Sequence, residues 1–295
     1  MRTLCIAWVL LASQLAAQSA HAAISVKDGS GATVTLARPA QRVVTLAPHA
    51  TELVYAAGAG ERIVGVSDYS DYPAAANAIA RVGSSHRIDT ERLLALRPDL
   101  LVVWQGGNGE RQLEPLRRLG VPIYRSEPKN LDDIPDEIER LGRLTGAEAN
   151  AQPAAAGLRA RLAALATRYR GRAPVSVFYQ VWDQPLYTLN GRQIVSDAIR
   201  LCGGVNVFAD LAALAPTVGV EAVLQKNPEV IIRGGKSGEE APGLAAWKRY
   251  PALLAARRGN LYTVSSDLMT RAGPRMVDGA EALCGLLEQA RGKRR

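Results

Sequence analysis

Aromatic side chains stand at or just beyond the ends of several short apolar runs, where they could bind a ligand. The candidates are Tyr69, Trp104, Trp182 and Tyr187. Glycine pairs and polar residues such as Asn108 lie beside them. Aromatic rings offer flat apolar faces and peripheral polar groups offer hydrogen bonds, so the pattern favours a large, flat, amphipathic ligand. The alternative is that some of these rings only cap the core.

The motifs of common enzyme classes are incomplete in this chain. Gly235-Lys236-Ser237 resembles the end of a phosphate-binding loop, but Val230 stands where that loop needs glycine. Gly58-Ala59-Gly60 lacks the third glycine of a dinucleotide-binding turn, because Ile63 occupies its place. No G-x-S-x-G motif occurs, and the histidines lack neighbours at metal-ligand spacing. We therefore predict a binding protein without catalytic residues, cofactor or metal; an exported hydrolase is the remote alternative.

The first 22 residues have the pattern of a secretory signal peptide. Arg2 gives a positive start, Leu4–Leu15 is almost entirely apolar, and Ala20 and Ala22 are small residues of the kind that precede cleavage. Removal of residues 1–22 takes away one arginine and lowers the formal net charge from +8 to +7. Export to the periplasm argues against nucleic acid as a partner, although the chain is basic.

Cleavage would leave two cysteines, Cys202 and Cys284, since Cys5 belongs to the signal peptide. In an oxidising compartment an even pair favours a disulfide over a catalytic or metal-binding pair. We therefore predict a bridge between them.

Beyond a predicted hairpin at residues 24–36, short apolar runs alternate with amphipathic segments, which is the pattern of an α/β fold. The runs are apolar on both faces, as buried parallel strands are. The predicted strands are 43–46, 63–66, 100–103, 121–124, 175–180, 230–232 and 261–264. The predicted helices include 50–57, 110–119, 131–144, 193–201, 243–255 and 274–288. Pro122 cannot donate a ladder hydrogen bond, so its strand is expected at a sheet edge.

An alanine-rich segment divides this alternation into two halves. Its apolar residues recur at helical spacing from Leu158 to Tyr169. Two such halves would enclose a cleft lined by the loops at the strand ends. The sequence therefore predicts two three-layer α/β lobes joined by one long helix: residues 23–146, the linker helix 147–172 and residues 173–295.

A weak internal repeat supports the two lobes. In each copy a glutamate opens a predicted helix, a proline stops it, and a buried strand and a glycine pair follow. The glutamates are Glu91 and Glu221, and the prolines are Pro98 and Pro228.

Five motifs resemble those of the periplasmic corrinoid-binding proteins of bacterial import systems, within the periplasmic binding proteins that have a rigid helical linker. They occur in the same order, from about Arg42 to the last helix. The motifs are Leu46–Leu53, Gly65–Pro73, Trp104–Gln112, Cys202–Gly204, and Ser266-Asp267 with Arg271 and Pro274-Arg275. The wider family also contains haem-binding and iron-siderophore-binding members.

The resemblance implies a periplasmic receptor that binds cobalamin or a related corrinoid between its lobes and delivers it to the transmembrane subunits of an ABC transporter. A haem or iron-siderophore ligand is the alternative, and we expect a monomer. Tyr69 matches a tyrosine that contacts the corrin, Trp104 matches a cleft tryptophan, and the two mature cysteines match a family disulfide. Asp267 and Arg271 match a ligand-contacting loop; their alternative role is a surface ion pair at the start of a helix.

His49 follows Pro48 in the loop after the first strand of the lobe. It either faces the cleft or is solvated. Facing inward, its imidazole could hydrogen-bond an amide or occupy an axial position on cobalt or iron.

Glu91 and Glu221 match glutamates that dock a related receptor on arginines of its permease. One acid on each lobe would let a two-fold symmetric permease hold both lobes, mainly by setting orientation and encounter rate. The alternative is that both acids only favour helix N-termini.

Overall fold

The computed structural model describes residues 23–84, 87–118, 120–236, 239, 241 and 243–294, so the predicted signal peptide lies outside the described residues. The described chain starts with an antiparallel hairpin of β1 (Ile24–Lys27) and β2 (Thr33–Leu36), as predicted. The Gly29 amide in its turn donates to the Arg125 carbonyl at 2.6 Å. This bond fixes the hairpin to the sheet that follows.

The N-terminal lobe is built on a four-stranded parallel sheet. Pro122 offers only its carbonyl to the ladder, so the last strand begins two residues later than predicted. That strand lies at a sheet edge, as predicted. The strands are β3 (Val43–Thr45), β4 (Ile63–Val66), β5 (Leu100–Trp104) and β6 (Ile123–Ser126), in the order β4-β3-β5-β6.

Helices cover both faces of this sheet and complete the three predicted layers. Successive strand residues alternate between the faces: Leu100 and Val102 point to one core, whereas Leu101 and Val103 point to the other. The first core is covered by α1 (Pro48–Ala56) and α4 (Asp133–Thr145), and the second by α2 (Thr90–Ala95) and α3 (Glu110–Arg118).

One long helix, α5 (Glu148–Tyr169), connects the lobes. It buries Leu162, Leu165 and Tyr169, in line with the predicted apolar spacing. It packs along α4 on one side and against the last helix of the chain, α10 (Met276–Gly292), on the other. Within the described ranges, no helix is both long enough and apolar enough to cross a bilayer.

The C-terminal lobe repeats the same sheet topology. Its parallel strands are β7 (Val175–Gln180), β10 (Gly204–Asn206), β11 (Val230–Gly235) and β12 (Leu261–Ser265), in the order β10-β7-β11-β12. In both lobes the first strand lies between the second and third. A short hairpin of β8 (Trp182–Asp183) and β9 (Leu186–Tyr187) follows β7. The helices before α10 are α6 (Ile194–Leu201), α7 (Val220–Lys226), α8 (Leu254–Arg257) and α9 (Ser266–Met269).

The predicted disulfide is confirmed. Cys202 directly follows α6 and is bonded to Cys284 in α10. Both residues are fully buried, so the bridge ties two helices together inside the C-terminal core.

The internal repeat extends to the backbone conformation. Glu91 and Glu221 are each the second residue of their helix, α2 and α7. Arg97 and Asn227, the residues before the two prolines, both adopt the left-handed region with φ of 44°. The same turn therefore leads from helix to strand in each lobe.

Two predictions for the C-terminal lobe were wrong. In place of one helix at 243–255, a 3-10 turn at Ala245–Arg249 precedes the short α8. Pro251 disfavours helical backbone at Tyr250, whose φ of −111° and ψ of 78° end the turn. The pair Gly234-Gly235 lies inside β11 rather than after it.

Candidate functional site

The segments that follow the carboxyl ends of β4 and β12, one strand from each sheet, contact each other. In a parallel sheet these ends lie along one edge, where binding loops collect. Arg271 follows α9, just beyond β12, and its Nη1 lies 2.6 Å from Oδ1 of Asp71, just beyond β4. This contact brings the two edges together and defines the cleft between the lobes.

Tyr69 is held outward on a strained turn after β4. Its φ of 62° is rare for a residue with a side chain. Arg81 fixes the turn by donating from Nη1 to the carbonyls of Ser67 and Ser70 at 3.0 and 2.8 Å. The tyrosine is nevertheless 79% exposed. An exposed aromatic side chain on a strained and well-bonded turn indicates a contact surface.

Trp104 ends β5, and the following loop fixes its position. Asn108 Oδ1 accepts the Trp104 backbone N–H at 2.7 Å, and Glu127 Oε2 accepts the Gly106 N–H at 2.7 Å. The indole lies so close to Gly107 that any Cβ there would overlap the ring, so this position requires glycine. Burial raises the pKa of the Glu127 carboxyl. Trp104 keeps 39% of its surface exposed, which leaves it available to a ligand.

His49 is not a solvated loop residue, so that alternative is wrong. It is the second residue of α1 and is only 6% exposed. Its ring meets Trp104 edge to face, with ring centroids 6.1 Å apart, and its buried Nε2 has no hydrogen-bond partner among the described residues. Burial lowers the pKa of His49 to about 4, so the imidazole is neutral near pH 7. The part of the chain that the structure describes holds no cluster of three or more metal-ligating side chains.

Trp182 and Tyr187 are paired across the β8–β9 hairpin. Trp182 is 58% exposed, and Tyr187 is half-buried. Among the described residues, no ring contact joins them to Tyr69 or Trp104. The structure therefore places the predicted aromatics on two separate surfaces, one on each lobe. Tyr179, inside β7, is buried.

An ion-pair cluster joins the lobes at one corner of the cleft. Arg275 donates to both carboxylate oxygens of Glu52, at 2.6 and 3.0 Å. Arg271 lies 3.4 Å from Glu52, 2.6 Å from Asp71 and 3.3 Å from Asp267. The hydrogen bond from Arg271 lowers the pKa of the Asp71 carboxyl. Glu52 is 3% exposed, so the two arginines offset the cost of burying its charge.

Asp267 and Arg271 are therefore paired, but not as an isolated surface ion pair, because Arg271 also reaches the other lobe. Glu52, Asp71 and Arg275 were not predicted as site residues. The available signal was a carboxylate at Glu52 within the otherwise uncharged helix α1, since a buried charge requires a partner. Its two arginine partners lie 219 and 223 residues further along the chain, too far for any local pattern.

A parallel α/β fold with two lobes, a connecting helix and a cleft between strand ends is the architecture of a ligand-binding receptor. Residues 43–268 match the family model described as periplasmic binding protein, and the chain belongs to this family. The predicted fold class, the periplasmic location and the class of binding protein rather than enzyme are confirmed by this family.

Two curated relatives that align with most of this chain are vitamin B12-binding proteins. The vitamin B12-binding protein of Vibrio cholerae serotype O1 is 40% identical over 252 residues, which cover 85% of this chain and 91% of that protein. The vitamin B12-binding protein of Yersinia pestis is 38% identical over 248 residues, covering 84% of this chain and 86% of that protein.

Two solved structures of periplasmic binding proteins match this chain. The crystal structure of the periplasmic vitamin B12 binding protein BtuF of Vibrio cholerae matches with a TM-score of 0.78 at 40% identity, over 86% of this chain and 98% of that chain. The periplasmic heme-binding protein RhuT from Roseiflexus sp. RS-1 matches with a TM-score of 0.75 at 23% identity, over 85% of this chain and 98% of that chain. This second similarity shows the shared fold alone.

Proposed function

We propose that the cleft binds a corrinoid of the vitamin B12 class and that the protein delivers it to the transmembrane subunits of an ABC transporter. The observation that carries the proposal is the set of exposed aromatic residues held at strand ends on both lobes, Tyr69, Trp104 and Trp182. The names of the relatives that cover most of this chain support the same ligand class.

The chemistry of a corrinoid fits these residues. Its macrocycle is broad and largely apolar, and amide side chains surround it. Tyr69 and Trp104 would contact the macrocycle, and Trp182 and Tyr187 would approach it from the other lobe. Asp267 and Arg271 would bind amide groups at the ion-pair corner, where both already lie at the cleft edge. His49 would support Trp104 from behind, through its edge-to-face contact.

Calorimetric titration of the mature protein with cyanocobalamin tests the ligand. We expect one saturable site, and about tenfold or weaker binding in Tyr69→Ala and Trp104→Ala, because each loses an aromatic contact. Tyr262→Ala is the matched control: Tyr262 lies near the amino end of β12 and its hydroxyl donates to Asn260, away from the carboxyl ends that line the cleft. Binding of haemin without binding of any corrinoid would contradict the proposal and favour a haem receptor.

Glu91 and Glu221 are proposed to dock the transporter. Both carboxylates are exposed, and they occupy equivalent positions in the two lobes. Replacing both with arginine should leave corrinoid affinity unchanged and abolish transporter-dependent uptake by cells. Glu61→Arg with Glu148→Arg makes the same charge change at two other exposed acids and should preserve uptake. Normal uptake by the first double variant would leave only a helix-end role for the two glutamates.

A further inference from the structure

A cavity of about 490 Å³ lies in the C-terminal lobe, between the β8–β9 hairpin and the 3-10 turn at Ala245–Arg249. It opens beside Gln180, the last residue of β7, and so on the cleft side of the lobe. Its volume is within the range of small-molecule sites, but it is too small for a corrin ring with its amide side chains. Its walls include Trp182, Asp183, Leu186, Ala246, Trp247 and Tyr250.

The polar groups in the wall of the cavity are fixed by hydrogen bonds. Trp247 Nε1 donates to Gln180 Oε1 at 2.7 Å, and Gln180 Nε2 donates to Asp183 Oδ1 at 2.5 Å. Arg233 Nη1 binds both oxygens of Asp183, at 2.5 and 2.7 Å. Gly243 leaves room for this pair, since a Cβ there would overlap the Asp183 carboxylate. These hydrogen bonds hold the polar wall groups in place, and the charges of Arg233 and Asp183 offset each other.

In the described part of the chain, one charged side chain at the rim has no carboxylate partner. Arg249 is exposed and donates from Nε to the Ala246 carbonyl at 3.0 Å, but no carboxylate pairs with it among the described residues. The cavity thus combines three aromatic side chains with a cation at its mouth. This combination suits an aromatic heterocycle that carries an anionic group.

Complete cobalamins contain such a group: a benzimidazole base on a ribose, joined to the macrocycle through a phosphodiester. Cobinamide has the macrocycle but lacks this nucleotide. Resting on the proposed function, we propose that the cavity receives the nucleotide of a complete corrinoid, with the base between the aromatic walls and the phosphodiester at Arg249. The receptor then selects complete corrinoids over their nucleotide-free precursors.

Calorimetric titration with cyanocobalamin and with cobinamide tests this assignment. The wild-type mature protein should bind cyanocobalamin at least tenfold more tightly. Ala246→Phe fills the cavity and should remove this preference by weakening cobalamin alone. Ala245→Phe adds the same ring at an exposed neighbour that does not line the cavity, and it should behave as wild type. Arg249→Gln, on the exposed rim, should weaken cobalamin by about threefold to tenfold and leave cobinamide unchanged.

The outcomes separate this inference from the proposed function. Equal wild-type affinities for the two corrinoids, or an equal loss of both in Ala246→Phe, would overturn the cavity assignment while the receptor function stands. Binding of neither corrinoid by the wild type would overturn the proposed function itself, and the assignment with it. Unchanged cobalamin binding by both Ala246→Phe and Arg249→Gln would likewise remove the cavity from the site.

Discussion

The two lobes share one strand order and one helix-to-strand turn, yet the edges that line the cleft differ. The N-terminal edge presents Tyr69 and Trp104 on tight turns fixed by internal hydrogen bonds. The C-terminal edge presents Trp182 on a hairpin beside a cavity, and Arg271 beside the ion-pair corner. The repeated unit builds the sheets, whereas the residues after the strands, which the repeat does not constrain, determine what each edge can bind.

The largest expected difference between the lobes concerns the disulfide, which only the C-terminal lobe contains. Cys202→Ala with Cys284→Ala reopens a loop with a sequence separation of 82 residues and should lower the free energy of unfolding by roughly 3 to 5 kcal/mol. Urea unfolding measures the total loss, and hydrogen exchange locates it. Amides of α6 and α10 should lose more protection than those of α1 and α4; equal loss in both lobes would contradict a local role.

The contact between the lobes can be broken at Glu52. Glu52→Gln removes the buried charge and leaves Arg271 and Arg275 without their shared partner, which should cost roughly 3 kcal/mol of unfolding free energy. Asp71→Asn is the matched control, because the Asp71 side chain is mostly exposed and its pair should contribute about 1 kcal/mol or less. Equal losses of unfolding free energy in the two variants, measured with urea, would show that burial of Glu52 does not make its ion pairs stronger than the exposed pair of Asp71.

The N-terminal lobe should also respond to pH through Glu137. Its carboxyl group accepts a hydrogen bond from the Tyr124 hydroxyl at 2.8 Å, and burial raises the pKa of Glu137 to about 7. The folded state therefore keeps a proton that the unfolded state releases near pH 4.5, so this residue makes the protein less stable as the pH rises from about 5 to 7. Glu137→Gln should remove roughly 2 to 3 kcal/mol of that decline.

Comparing Glu137→Gln with wild type at each pH isolates this contribution from that of His49. The lowered pKa of His49 has the opposite effect on stability. Below about pH 6.5 the unfolded state takes up a proton on this imidazole, so the folded state becomes less stable as the pH falls. Parallel stability curves for wild type and variant between pH 5 and 8 would contradict a protonated Glu137.

The smallest expected effect distinguishes the two copies of the turn. Arg97→Gly should stabilise the protein by up to about 1 kcal/mol, because glycine adopts a φ of 44° without strain. Asn227→Gly should destabilise it by about 1 kcal/mol, since the Asn227 side chain accepts the Leu254 N–H at 2.8 Å. Thermal unfolding of both variants would measure whether each substitution raises or lowers the stability. A change in the same direction for both would contradict the predicted difference between the two turns.

The sheets and the linker helix could be predicted because their information is local: buried strands are apolar on both faces, and α5 keeps an apolar stripe. The helix predicted at 243–255 does not form as one element, because Pro251 disfavours helical backbone at the residue before it. This effect of proline was available from the sequence. The Glu52 cluster could not be predicted, because its partners meet only after both lobes have folded. The positions of Tyr69 and Trp104 at strand ends were correctly predicted, because the apolar runs that form the preceding strands are local features of the sequence.

The central claim is that the cleft binds a corrinoid, and a competition between chromophores tests it most directly. The mature protein would be mixed with equimolar cyanocobalamin and haemin, passed through a gel-filtration column, and its visible absorption spectrum recorded. The protein fraction should carry the cobalamin bands at about one ligand per chain, and lose them in the variant that combines Tyr69→Ala with Trp104→Ala. A haem spectrum in that fraction, or no chromophore at all, would contradict the claim.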